Sequence, residues 1–409
     1  MTAYVLFFST ALSQERLSWI DLALKHSFQD KGGGPAGAPA PAKPDVFVYL
    51  TGDALYSLND TESRLIWASI LSLSTIRLVC NTDALEHRGL SLDPLTEYVP
   101  NRADGQPAAE KKDGASFWSA LISSTLGQCP ETRRDIGWLL LSSPYMFPSA
   151  EEMIQCFTAA LDRGCGVRLF AYLDGCHACH AGQITGDGKN IGEALEELAT
   201  AAAEKHLSCS MMLHQHSASA RGYQSWDDGM GVIGSSCLVR PAHIRDMGAI
   251  IRTGENIPVL LSENAGLEPC TVLQYNSHDE PDAIPVTILI TRNPYSTDYA
   301  YGGIAFAAAC AHYGIPSRVI FLEDGIHALT GEHHAAEGTE IITLPELISH
   351  LCNNENLHFF ALVTSLHSRG VSKSGKLAVV KEIGPDELGT LLFQQHEGTS
   401  GSGQRILFF

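Results

Sequence analysis

The chain has 409 residues, 44% of them hydrophobic and 18% charged, enough for roughly two to four compact domains with buried cores. Its net charge of −19 argues against a nucleic-acid backbone as partner, because that affinity comes from clustered Lys and Arg. No run approaches the roughly 20 apolar residues that span a bilayer, so no membrane-spanning helix is predicted.

The chain opens on Met1-Thr2-Ala3-Tyr4-Val5-Leu6-Phe7-Phe8, which lacks a basic leader region and turns polar at Ser9. It reads as a β-strand and not as a signal peptide. That predicts a cytoplasmic protein whose 11 cysteines are mostly free thiols. A helix follows, and then Lys31 to Pro44, a Gly- and Pro-rich stretch read as a mobile surface insertion. Next come a second strand, the hexapeptide Asp53-Ala54-Leu55-Tyr56-Ser57-Leu58, and a third strand, Arg77-Leu78-Val79-Cys80, ahead of Arg88-Gly89.

This order recurs. After a polar connector, Val99 to Gly114, a second copy starts with Trp138-Leu139-Leu140-Leu141-Ser142-Ser143-Pro144-Tyr145. It continues through a helix from Ser149 to Asp162, the strand Val167–Tyr172 and the hexapeptide Asp174-Gly175-Cys176-His177-Ala178-Cys179. His206-Leu207-Ser208-Cys209 is read as its third strand, before Arg221-Gly222. A second connector, Gly266 to Pro285, leads to Thr287-Ile288-Leu289-Ile290-Thr291-Arg292-Asn293-Pro294-Tyr295. A helix from Asp298 to Tyr313, the hexapeptide Asp324-Gly325-Ile326-His327-Ala328-Leu329 and the strand Phe359–Leu362 before Arg369-Gly370 complete a third copy. The interval from Tyr145 to Asp174 equals that from Tyr295 to Asp324, 29 residues. Arg405–Phe409 reads as a final edge strand. Boundaries fall near 130 and 280, giving units 1–130, 131–280 and 281–409. Apolar strands alternating with helices predict three tandem doubly wound α/β units of flavodoxin-like type, each with a parallel sheet.

In such sheets ligands and reactive groups gather beyond the carboxyl ends of the strands. That rule selects Cys80 and Cys209 as residues ending third strands, with Ala361 in the third copy, and it selects the hexapeptides. On this reading Cys209 lies 12 residues before its Arg and Cys80 lies 8 before, which puts His214-Gln215-His216 in a local insertion. Cys176-His177-Ala178-Cys179-His180 also matches a haem-attachment or half-zinc pattern. His214 and His216 are possible extra ligands beside Cys176, Cys179 and His180. In the repeat frame Cys176 and Cys179 replace Ile326 and Leu329, so their simpler role is to fill apolar positions. Gly302-Gly303, within a predicted helix, points to close packing of helix on sheet.

The triple pattern resembles the DsrE/DsrF/DsrH (TusD/TusC/TusB) sulfur-relay family. Ser143-Pro144-Tyr145, Asp174-Gly175, Cys209 and Arg221-Gly222 look like the DsrE/TusD type. Asn293-Pro294-Tyr295 and Asp324-Gly325-Ile326 look like DsrF/TusC, and Gly52-Asp53-Ala54-Leu55 with Asp83–Leu90 looks like DsrH/TusB. The resemblance implies a fusion of units that are separate subunits elsewhere, with a persulfide carried on Cys209, Cys80 as a second candidate, and Arg221 holding the thiolate. It implies sulfurtransferase activity without an organic cofactor. The implied partners are TusA-, rhodanese- or DsrC-like donor and acceptor proteins, and a homodimer is left open. Two other readings stand beside it: a zinc- or haem-binding redox sensor, and an assembly scaffold without transfer.

Overall fold

The computed structural model describes residues 4–29, 45–99, 107–126, 135–180, 183–186, 188–223, 239–253, 259–268, 283–295, 297–330, 333, 342–372, 377–393 and 404–409. The Gly- and Pro-rich stretch and the boundaries near 130 and 280 lie outside the described residues.

The first segment runs β1 (Tyr4–Phe8), α1 (Gln14–Phe28), β2 (Val46–Leu50), a 3₁₀ turn (Gly52–Leu58), α2 (Thr61–Leu71), β3 (Ile76–Asn81), α3 (Thr82–His87), α4 (Asp93–Thr96), β4 (Ala109–Lys112) and α5 (Gly114–Leu126). The middle segment runs β5 (Asp135–Leu140), α6 (Ser149–Asp162), β6 (Gly166–Ala171), a 3₁₀ turn (Leu173–Cys179), α7 (Ile191–Glu204), β7 (Cys209–His214), α8 (Gln215–Ala220), β8 (Val239–Ala242), α9 (Ile244–Thr253) and β9 (Val259–Leu261), followed by β10 (Asn264–Glu268). The last segment runs β11 (Val286–Ile290), α10 (Tyr299–His312), β12 (Ser317–Phe321), a 3₁₀ turn (Glu323–Leu329), α11 (Leu344–Leu351), β13 (Leu357–Leu362), α12 (Val363–Ser368), β14 (Lys381–Ile383), α13 (Pro385–Phe393) and β15 (Gln404–Phe408).

Local chemistry sets the helix ends. The side chains of Ser13, Asp60 and Asn190 accept from the backbone N–H three residues on, satisfying donors that the first helical turn leaves unpaired. The Gly of each Arg-Gly pair ends a helix in the left-handed region, with φ of +62° at Gly89, +84° at Gly222 and +61° at Gly370.

Among the described residues the strands form a ten-stranded and a five-stranded sheet. The smaller sheet has the order β8-β7-β6-β5-β9, all parallel. The larger has the order β14-β13-β12-β11-β15-β10-β1-β2-β3-β4. Its two flanks are parallel, and β10 runs antiparallel to both neighbours at the seam. The first and last segments therefore share one sheet, closed by β10, whose last three residues fall in the connector expected to be polar. Gly266 fits there because a Cβ would lie 2.9 Å from Leu6 Cδ2.

Two further expectations change. Arg405–Phe409 was expected at an edge, yet β15 is central, between β11 and β10, and all five of its residues are buried. The first connector contains β4, an edge strand with exposed Glu110 and Lys111. Charged side chains on an edge discourage pairing with other chains, which is why this strand reads as polar.

The segments meet in cyclic order. α5 packs on α6, α9 on α10, and α13 on α1. The first residue of each 3₁₀ turn has positive φ (Gly52 +53°, Leu173 +51°, Glu323 +52°) and faces the next segment's first helix. A Cβ on Gly52 would lie 2.6 Å from Glu152 Oε1, and one on Gly302 would lie 2.9 Å from Leu173 Cδ1. Glu323 instead meets Arg16 and Trp19. A large side chain thus meets a glycine at two junctions and an ion pair forms at the third. Gly303 packs tightly as expected, since a Cβ there would lie 2.5 Å from Ile290 Cδ1. No described helix is long and apolar enough to cross a membrane.

Candidate functional site

The carboxyl end of each third strand carries the same construction. Arg88 binds Asp53 (Nη2–Oδ1 3.0 Å), Arg221 binds Asp174 (Nε–Oδ1 2.6 Å) and Arg369 binds Asp324 (Nε–Oδ1 2.7 Å). The recurring Asp and Arg are therefore partners that tie each 3₁₀ turn to the helix after the third strand. Two of the arginines also reach the following segment in the cycle. Arg221 Nη2 lies 3.1 Å from Asp298 Oδ2, and Arg369 forks onto Glu15 at 2.9 and 2.8 Å. Arg221 Nη1 further donates to Ser217 O at 3.2 Å. Arg221 therefore ties the middle segment's 3₁₀ turn to the last segment.

Cys209 requires a correction of place. It opens β7 instead of ending it, and it pairs in register with Val167 at the start of β6. β3, β7 and β13 are six residues each and are followed by helices of six, so His214-Gln215-His216 is not an insertion between the third strand and the Arg-Gly pair. The residue matching Cys80 and Ala361 is Leu213, and His214 ends the strand. The sequence frame slipped because His206-Leu207-Ser208-Cys209 resembles a strand end, while Met211, Met212 and Leu213 continue the apolar run. Cys209 and Arg221 consequently sit at opposite edges of the sheet.

Burial divides the thiols. Cys80, Cys176 and Cys179 are almost wholly buried, and loss of hydration pushes each thiol up to about 12. Cys176 and Cys179 lie in the same core as Ile326 and Leu329. Cys209 is partly exposed, and burial pushes it up to about 11. Cys352 is also partly exposed, and its Sγ lies 2.9 Å from Ser349 O.

The five suggested metal ligands are not brought together. Among the described residues, no group of three or more His, Cys, Asp or Glu side chains is placed to hold a metal ion. His180 packs against Tyr223, with ring centroids 5.3 Å apart, and His177 Nδ1 lies 2.6 Å from the Tyr223 hydroxyl. His214 caps α8: its Nδ1 accepts the Ser217 N–H at 3.2 Å and lies 2.7 Å from Ser217 Oγ. Burial, then His216, His243 and Arg221, push its imidazole down to about 4, so it is neutral at pH 7. His216 is exposed beside it.

His214, His216 and Arg221 do share a cavity of about 780 Å³ beyond the carboxyl end of β7. Further walls come from Tyr172, Leu173, α9, α10 and the residues just before those helices, including His243, Asp298 and, on α10, Tyr301. Sequence reasoning missed these three. His243 directly follows a short strand, which was a usable signal, but Asp298 and Tyr301 approach only through the docking of the last segment.

Residues 285–400 match the DsrE/DsrF-like family, a family associated with sulfur relay. No curated protein matches the chain.

Proposed function

We propose that the chain is a sulfur-relay protein in which three DsrE-like units are fused and closed into a ring, with Cys209 as the sulfur-carrying thiol. The observation that carries this reading is the DsrE/DsrF-like match over 285–400. The strands of that segment follow the order β14-β13-β12-β11-β15, and those of the segment bearing Cys209 follow β8-β7-β6-β5-β9, the same topology. Cys209 is the partly exposed described thiol of the middle unit. In the transfer, the Cys209 thiolate attacks the outer sulfur of a donor persulfide, R–S–SH. The donor S–S bond breaks, R–S⁻ leaves and takes up the proton lost by Cys209, and Cys209–S–SH forms without net oxidation. An acceptor thiolate then removes the outer sulfur in the same way. Because Cys209 rests as a thiol, docking of the donor supplies the base that deprotonates it.

A second reading, an assembly platform without transfer, is favoured by the buried thiols at the carboxyl edges and by the ion pairs that Arg16, Arg221 and Arg369 make between units. Peptide mass spectrometry after incubation with polysulfide separates the two. A gain of one sulfur on Cys209 that is lost in Cys209→Ser supports the carrier. Absence of that gain in a folded protein leaves the platform.

A further inference from the structure

The cavity beside His214 has the size of small-molecule sites, in which apolar walls surround a few fixed polar groups. Tyr301, Tyr313 and Ile244 provide rings and aliphatic surface. Its charged side chains are two of each sign, Arg221 and Arg245 against Asp246 and Asp298, and they differ in what already binds them. Asp298 is held by Arg221, and Asp246 accepts the His243 backbone N–H at 2.7 Å at the start of α9. Arg245, exposed on the rim, has no ion-pair partner among the described residues.

His214 adds a donor. Its Nδ1 accepts a backbone N–H, so the neutral ring carries its proton on Nε2. The residue is 7% exposed, lines the cavity, and is fixed by a T-shaped contact with Tyr172 at 4.8 Å. His216 and His243 bring further ring nitrogens to the same wall. Spare donors next to aromatic faces, with the nearby carboxylates already bonded, suit a ligand that is negatively charged at one end and flat at the other.

We propose that this cavity, between α8, α9 and α10, binds a small aromatic carboxylate or sulfonate. Arg245 and the imidazole N–H groups receive the anionic end, and the tyrosine rings receive the flat end. This goes beyond sulfur relay and does not depend on it.

The test is a fluorescence titration of the full chain with 1-anilinonaphthalene-8-sulfonate, followed by competition. Benzoate should displace the dye at concentrations where benzyl alcohol, its neutral analogue, does not. Arg245→Ala should weaken both dye and benzoate roughly ten-fold, the effect of losing one charge-assisted bond. Tyr301→Ala should weaken them about three-fold, as a lost ring contact does. Both side chains are exposed, so neither change removes part of the core. Equal displacement by benzyl alcohol would show an apolar cavity without anion preference and overturn the proposal. Binding indifferent to both variants, or no saturable binding, would overturn it as well.

Discussion

Arg16 and Glu323 stand 307 residues apart in the chain and meet in a two-pronged ion pair, Nε–Oε1 2.8 Å and Nη2–Oε2 2.7 Å. Their side chains are 10% and 9% exposed, and the Trp19 indole donates to the same carboxylate at 3.1 Å. The Glu323 backbone holds positive φ, and its N–H donates to Ser365 Oγ at 3.0 Å. The pair joins the first helix to the last 3₁₀ turn, which closes the cycle of segments.

Removing one member leaves the other charged and buried. Arg16→Ala should therefore cost about 3 kcal/mol of unfolding free energy in urea titrations. Arg16→Ala combined with Glu323→Ala should recover part of that loss. A single variant with an unchanged midpoint would show that the junction contributes nothing to stability.

Two glycines of the recurring motifs should respond differently. A Cβ on Gly325 would lie 2.0 Å from the Ile290 carbonyl oxygen, a backbone atom that cannot step aside. Gly325→Ala should cost about 3 kcal/mol or more. Gly89 has positive φ but nothing within 4 Å of an added Cβ, so Gly89→Ala should cost only about 1 kcal/mol of backbone strain. Equal losses in the two variants would contradict the packing at Gly325.

Two buried groups give opposite pH dependences. The His214 imidazole is pushed down to about 4, so the unfolded chain takes up its proton first. Its contribution is present above about 6.5 and is lost as pH falls toward about 4. Burial pushes the Glu152 carboxyl up to about 7, with Glu263 adding to the rise and Ser9, Arg88 and Thr51 opposing it. Its contribution is complete below about 4.5 and is lost as pH rises through about 7. Each effect is on the order of 3 kcal/mol at its full extent. Relative to wild type, Glu152→Gln should gain stability as pH rises from 4.5 to 7, and His214→Gln should gain as pH falls from 6.5 to 4. Urea midpoints across that range check both, and parallel curves for variant and wild type would refute them.

Thiol reactivity should follow exposure and thiolate fraction. Timed N-ethylmaleimide labelling with peptide mapping should modify Cys209 and Cys352 well before Cys80, Cys176 and Cys179. Early labelling of Cys176 or Cys179 in folded protein would contradict their burial.

Much of the local structure was legible in the sequence. Short apolar strands and the helices between them depend on near neighbours, so their signals lie within a few residues. The helix from Ser149 to Asp162 and the close packing of Gly303 were found this way. Strand register was harder, because Leu207 to Leu213 is apolar or small throughout and periodicity alone does not say where pairing begins. That is how Cys209 was placed at the wrong end of β7. The recurring Asp and Arg were visible as a pattern, but their bond to each other became evident only when the 3₁₀ turn and the helix after the third strand were seen side by side.

The sequence alone determined the alternation of strands and helices, the repeat spacing and the glycines that end helices, since each follows from local sterics and hydrogen bonding. The tertiary structure decided that the first and last segments share a sheet through β10, and that Arg405–Phe409 is central. It also decided which thiols are buried and which side chains line one cavity. Those outcomes depend on contacts between residues far apart in the chain, where burial and charge pairing act through space and leave no short-range trace.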